Sequence, residues 1–283
     1  MTLTHGDRIK RLAHLGNAAL LDLMPMNQPL KDVQAEHDHK RALILLSSAC
    51  LGNSQAALYL VLGLRLWEAD IIIRSIFEGT VKFAYMLESP STLSERCDEY
   101  SSILPMISKL RWHGKSAEAL SALGDDGEIW KQPFRDMILS EEELSEIRER
   151  YPRELRQSVE RKWGFTELVT AISKPGGAFG PTGRSALHSY MVSSHLVHMS
   201  NEGIEMPWER GQREQVRREA IELAHAARIV SDCFELTYFR AITIRKFLAR
   251  SMEDLTEIRV RHTAFFAEVK NSSEKFSDVE YRA

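Results

Sequence analysis

The stretch Trp67-Glu-Ala-Asp-Ile-Ile-Ile-Arg-Ser-Ile-Phe-Glu-Gly-Thr-Val-Lys-Phe-Ala-Tyr-Met-Leu87 decides the fold. Laid out at about 100° per residue, it puts Ile72, Ile73, Ile76, Phe83 and Leu87 on one side of a helix. Ile71, Phe77, Val81 and Tyr85 lie on or beside the other. A helix that is apolar almost all round must be enclosed by other helices. Its polar seam is Asp70, Arg74 and Glu78, at i, i+4 and i+8. An unpaired charge in an apolar interior is very costly, so Arg74 and Glu78 are expected to pair with each other or with groups on a facing helix. An internal salt bridge that fixes helix register is one reading of the seam, and a functional site is the other.

Moving outward, nearly every long segment repeats its apolar residues at intervals of three and four, and period-two alternation is almost absent. The sequence therefore predicts an all-α fold, a single large bundle of roughly eight helices with a buried polar centre. Helices are expected at 5–23, broken by Pro25 and Pro29, and at 32–51, stopped by Leu51-Gly-Asn-Ser54. The apolar region 55–88 is bent or divided at Gly63, and a helix over 91–114 is kinked by Pro105. Ser140-Glu-Glu-Glu143 has the spacing of a capping box and opens a charged helix to Lys162. Lys174-Pro-Gly-Gly-Ala-Phe-Gly-Pro-Thr-Gly183 reads as a connector, without the spacing of a phosphate-cradling loop. A break at Pro207-Trp208 precedes a helix over 210–248, and Ser251-Met-Glu-Asp254 caps a last one to about 270. The polar stretch Asn271–Ser277 is expected to fray. In domain terms, 1–30 form an N-terminal helical arm, 31–250 the core domain of the bundle, and 251–283 a C-terminal helix and polar tail.

The chain has 37 basic and 40 acidic residues, interspersed, for a formal charge of -3. No general field recruits nucleic acid or an anionic membrane, so any polyanion site must be local. Cys50, Cys97 and Cys233 lie far apart with no CxxC spacing, and the chain opens without a secretory signature, so a reducing cytoplasm is expected. The apolar run Ala56–Leu64 is cut by Arg65 and is shorter than the about 20 residues a bilayer needs. Neither membrane nor DNA is an expected partner.

A second polar helix is written in His188-Ser-Tyr-Met-Val-Ser-Ser-His-Leu-Val-His-Met-Ser-Asn-Glu-Gly203. Met191, Val192, His195 and Met199 cluster on its apolar face with His188 between them. These two histidines are expected to be packing residues with satisfied nitrogens. Tyr190, Ser194 and His198, each four residues from the next, form an adjacent strip that can present two hydroxyls and an imidazole to one partner helix.

The order Arg-x3-Glu in an apolar helix, then Arg161-Lys-Trp-Gly-Phe-Thr-Glu-Leu168, then Tyr-x3-Ser-x3-His in a late helix resembles a bacterial family of helical proteins known only as a domain of unknown function. The resemblance covers roughly residues 36 to 245. It implies that Arg74, Glu78, Trp163, Tyr190, Ser194 and His198 belong together, and it carries no established reaction. More broadly the chain is similar to the HEPN superfamily of helical bundles, many of them metal-independent ribonucleases of toxin–antitoxin and phage-defence systems. Those proteins use an Arg followed by four to six residues and a His, near a dimer interface. Here Arg184 precedes His188 by only three intervening residues, and no Arg stands at the required distance before His195 or His198.

Three functions follow as expectations. The first is HEPN-like RNA processing or binding, with His198 as general acid or base, Arg74 stabilising phosphate charge, Glu78 holding Arg74, and Tyr190 and Ser194 completing the catalytic set. Arg210, Arg213, Arg217 and Arg218 supply a local phosphate contact on that reading. The second is a non-catalytic, dimeric interaction or regulatory module. The third is a metal site built from Glu36-His-Asp-His39 or Glu222-Leu-Ala-His225, whose Glu-x-x-His spacing recurs in di-iron bundles, although chance alone supplies such pairs. The first is preferred, with a homo-oligomer and RNA as candidate partners and no cofactor or metal.

Overall fold

A computed structural model describes residues 3–174 and 183–281 of the chain. Helix α1 (His5–Leu23) opens at Thr4, whose hydroxyl accepts from the Asp7 backbone N–H, and it leads through a 3₁₀ stretch, Met24–Asp32, to α2 (His37–Leu62). The central helix α3 spans Leu66–Met86. Next, α4 (Leu93–Asp98) passes through a π-turn, Glu99–Ile103, into α5 (Leu104–Leu123). The short helices α6 (Gln132–Arg135), α7 (Glu141–Arg150), α8 (Arg153–Lys162) and α9 (Phe165–Ile172) follow. The last five are α10 (Gly183–Val197), α11 (Asn201–Gly211), the long α12 (Gln215–Phe247), α13 (Glu253–Arg261) and α14 (Thr263–Tyr281). No strand occurs among the described residues, so the fold is all-α, with more helices than the roughly eight expected.

Each departure from the sequence expectation has a local cause. Leu51-Gly-Asn-Ser54 does not stop α2, because Cys50, Ser54, Ala57 and Leu58 are all buried along it. That burial outweighs the about 1 kcal/mol a helical glycine costs. The break falls instead at Gly63, and Leu64 takes a positive φ of 60°. Pro105 sits in the first turn of α5, where its missing N–H is harmless, and the strain is taken up in the π-turn before it. The charged helix divides at Tyr151-Pro152 into α7 and α8, since proline disfavours helical backbone in the residue before it. Pro207 lies inside α11 instead of breaking the chain. Nor does Asn271–Ser277 fray: it is part of α14, with Ser272 buried and its hydroxyl donating to the Glu268 carbonyl. The connector residues 175–182 lie outside the described residues.

α3 occupies the centre, as its all-round apolar surface requires. On one side, its Ala69, Ile73, Ile76 and Phe77 share a core with α1, α2 and α12, extended by Leu255 of α13 and Phe265 of α14. On the other, Val81, Phe83, Ala84 and Tyr85 pack with α4, α8 and α9, including Trp163 and Leu168. Helix α2 alone among the described helices has the length and hydropathy to cross a membrane, and it packs along α3. One cation sits deep in the core: Arg240 of α12 is fully buried and donates to the hydroxyls of Thr80 and Thr237.

Candidate functional site

The polar seam of α3 is shared between two partner helices. Tyr190 of α10 donates its hydroxyl proton to Glu78 Oε1 at 2.8 Å and accepts from Arg74 Nη2 at 2.9 Å. Arg74 Nε stands 3.4 Å from the same Glu78 oxygen. The Tyr190 ring stacks on Phe165 with centroids 3.7 Å apart, and burial pushes its phenol above the ordinary value. Tyr190 thus joins Arg74 to Glu78 through its hydroxyl, while Arg74 Nε is buried without a hydrogen bond of its own. That arrangement clamps α10 to α3 in register.

The strip does not continue as the spacing suggests. The Ser194 side chain is half-buried and that of His198 is exposed, and neither makes a side-chain hydrogen bond among the described residues. Tyr190 lies opposite Arg74 and Glu78, and Ser193 reaches Asp70 Oδ1 at 3.4 Å, so the two helices run antiparallel. α3 begins at Leu66, and no turn of it remains to face His198. His195 is also not a core residue: its side chain is 42% exposed and Nδ1 bonds the Ser200 hydroxyl at 2.9 Å, where the chain reverses through Met199 at φ 50°. The side chain of His188 lies outside the described residues. Trp163 is buried elsewhere, donating Nε1–H to Glu99 at 2.9 Å beside the Lys162–Glu99 ion pair.

Asp70 faces the other way, into a constellation the sequence reading did not assemble. It is 1% exposed, and its Oδ2 accepts from His225 Nε2 at 2.8 Å and from Arg228 Nη2 at 2.5 Å. Arg228 also donates to Asp232 at 3.1 Å. His225, Arg228 and Asp232 fall at i, i+3 and i+7 of α12, so one helix face supplies all three. Trp67, in the first turn of α3, meets the His225 ring edge-on at 4.6 Å.

Electrostatics divide these groups. Burial works to raise the Asp70 carboxyl, but His225 and Arg228 outweigh it and hold it below its ordinary value. Burial depresses His225 against the pull of Asp70, which leaves a neutral imidazole whose Nδ1 makes no hydrogen bond among the described residues. Asp232 is pushed up to about 6 by burial, with Arg228 opposing and Asp70 adding to the effect. Perturbed acid, base and cation at one place are the pattern expected of functional sites.

Asp70, His225 and Arg228 line a cavity of about 540 Å³, together with Trp67, Arg210 and Arg213. Arg210 lies over the Trp67 ring at 5.1 Å and forms no ion pair among the described residues. Its pKa is lowered by burial and then by its neighbour Arg213, a mutual repulsion that a bound anion would relieve. Of the four arginines singled out in the sequence, Arg210 and Arg213 reach the cavity and Arg217 pairs with Glu280. Arg218 donates to the Gly211 carbonyl. The cations that act on His225 are Arg228 and Arg210, not Arg218.

The signal for this site was present in the sequence as three polar residues on one face of α12, at i, i+3 and i+7. His225 drew attention only as half of a Glu-x-x-His pair. In the structure Glu222 turns away to His5 at 2.8 Å, and His39 of the other pair bonds Asp98 at 2.8 Å. Among the described residues no three His, Cys, Asp or Glu side chains converge as metal ligands would. No family model, curated protein or solved structure matches the chain.

Proposed function

We propose that this chain is a HEPN-like RNA-processing protein that cleaves phosphodiesters without a metal, with its reacting centre at His225 instead of His198. The observation that supports the reading is the neutral His225, held at Nε2 by buried Asp70, on the wall of a cavity bearing Arg210, Arg213 and Arg228. Such an imidazole can take the proton of a ribose 2′-hydroxyl as that oxygen attacks phosphorus. The P–O5′ bond then breaks, and the leaving oxygen takes a proton back, so a 2′,3′-cyclic phosphate and a 5′-hydroxyl result. Arg210 and Arg228 line the same cavity and would stabilise charge developing on the phosphate oxygens. Asp70 fixes the imidazole and stabilises the cation formed on it. On this reading Arg74, Glu78 and Tyr190 position α10, whose Ser193 contacts Asp70.

The test is cleavage of a labelled single-stranded RNA in excess chelator. The native chain yields cyclic-phosphate ends, and His225→Asn lowers the rate at least 100-fold while leaving the helical circular dichroism intact, the scale expected for loss of an acid–base group. The rate should rise with pH through a midpoint below the ordinary imidazole value. Intact RNA, or equal rates for the two proteins, overturns the proposal. The competing non-catalytic reading draws on the hydroxyl of Tyr190 bridging Arg74 and Glu78, and it predicts that intact RNA is recovered.

A further inference from the structure

The cavity beside His225 has a second wall, and that wall is the end of α14. Phe276, Glu280 and Tyr281 line it. Glu280 accepts from Arg213 Nη1 at 2.6 Å through Oε1, and its Oε2 stands 3.4 Å from Arg217 Nε. The carboxylate is only 16% exposed, and Oε2 is buried without a hydrogen bond. A desolvated carboxylate oxygen left unsatisfied is costly, so the fit between Glu280 and the two arginines is incomplete. Arg213 gives Nε and Nη2 to Glu209 at 2.9 and 3.3 Å, so only its Nη1 faces Glu280, and a phosphate whose two non-bridging oxygens share the charge would take over that Nη1 together with the guanidinium of Arg217.

We infer that Arg213, on the cavity wall, and Arg217, just outside it, form a second phosphate subsite at the cavity's edge, for the nucleotide adjoining the one at His225, and that Glu280 occupies it in the free protein as a displaceable internal stand-in. This rests on reading the cavity as an RNA site. The ligand class is a single-stranded oligoribonucleotide with at least two consecutive phosphates. α14 is then a strap: it must release Glu280 before a strand can run from Arg210 past Arg213. A strap that closes the site in most molecules lowers apparent affinity by the fraction open, so removing its charge should tighten binding without any new contact.

The experiment is fluorescence anisotropy with a 5′-labelled single-stranded hexaribonucleotide on the full chain at fixed salt. All proteins carry His225→Asn, so that binding is read without cleavage. Glu280→Gln, which keeps the side chain's shape, should bind about tenfold more tightly than the parent. Adding Arg213→Ala and Arg217→Ala should abolish that gain and flatten the dependence of affinity on salt, since two phosphate contacts are lost. Amide exchange over residues 273–281 of the parent should accelerate when the oligonucleotide binds. Equal or weaker binding by Glu280→Gln, a gain that survives loss of both arginines, or slowed exchange over 273–281 would each overturn the strap while leaving the His225 reading intact. If neither parent nor variant binds the oligonucleotide, the cavity is not an RNA site and both readings fall.

Discussion

Replacing Asp70 by Asn tests how the centre of the bundle is held. Asp70 is buried and accepts from both His225 and Arg228, so the amide that replaces it cannot neutralise Arg228 or hold His225 in the same way. Breaking a buried pair by removing one charge costs about 3–5 kcal/mol. Arg228 keeps 37% of its side chain exposed and retains Asp232 as a partner, which places the expected loss at the lower end, about 3 kcal/mol at pH 7.5. The loss should also grow on acidification. His225 is already depressed in the fold, so stability is full above the unfolded value of 6.5 and falls as pH drops below it, where only the unfolded imidazole takes a proton. Without Asp70 the opposing pull is gone, His225 is depressed further, and that fall is steeper. Asp70 itself contributes above its unfolded value of 3.8 and is lost only as pH falls toward its lower folded value, so it is still fully charged at pH 5. Urea unfolding followed by circular dichroism at pH 7.5 and 5.0 gives both quantities. A loss under about 1 kcal/mol at pH 7.5, or a gap between native and variant that narrows at pH 5.0, would refute the coupling described here.

Three further outcomes are expected. Asp232 is raised from 3.8 to about 6, which corresponds to about 3 kcal/mol of stability lost as pH rises through that interval. Relative to native, Asp232→Asn should therefore improve by about 2 kcal/mol between pH 4 and 7.5 once residual exposure is allowed for, and a pH-independent difference in urea unfolding would count against it. Tyr190→Phe keeps the stack on Phe165 but leaves Arg74 and Glu78 without their shared hydroxyl, at a cost of about 1–3 kcal/mol in thermal or urea unfolding. Unchanged stability would remove the register clamp. Finally, a Cβ placed on Gly16 would overlap Val230 Cγ1 where α1 crosses α12, so Gly16→Ala should destabilise by about 1–3 kcal/mol. Adding Val230→Ala should relieve most of the overlap, and a double variant less stable than the sum of the singles would contradict this packing.

How much was legible in the sequence differs between elements for physical reasons. α1 was readable to the residue because its start is a local device, the Thr4 cap, and its end is followed by Pro25 and Pro29. The Ser140 capping box was equally local, with Ser140 accepting from Glu143 N–H. The break at Gly63 was readable, but the continuity of α2 through Gly52 was not. Whether Gly52 or Gly63 breaks the helix depends on what packs against the turns between them, and Ala57, Leu58 and Val61 are buried there only because α3 and α12 arrive from elsewhere in the chain. For the same reason the polar residues 271–277 looked like a loose end, yet they belong to a helix whose Phe276 and Glu280 reach the mouth of a cavity.

By itself the sequence determined the fold class, the centrality of α3 and the presence of a polar seam in it, because periodicity and the cost of burying charge act within one segment. The meeting of Tyr190 with Arg74 and Glu78 came within reach of that reasoning, since both motifs have helical spacing. Tertiary structure alone decided that Asp70 turns from this seam to His225, 155 residues away, and that α3 begins too late to face His198. A buried carboxylate must find donors somewhere, but which donors arrive is set by how two helices dock, and a residue one turn past the end of its partner helix faces water whatever its spacing.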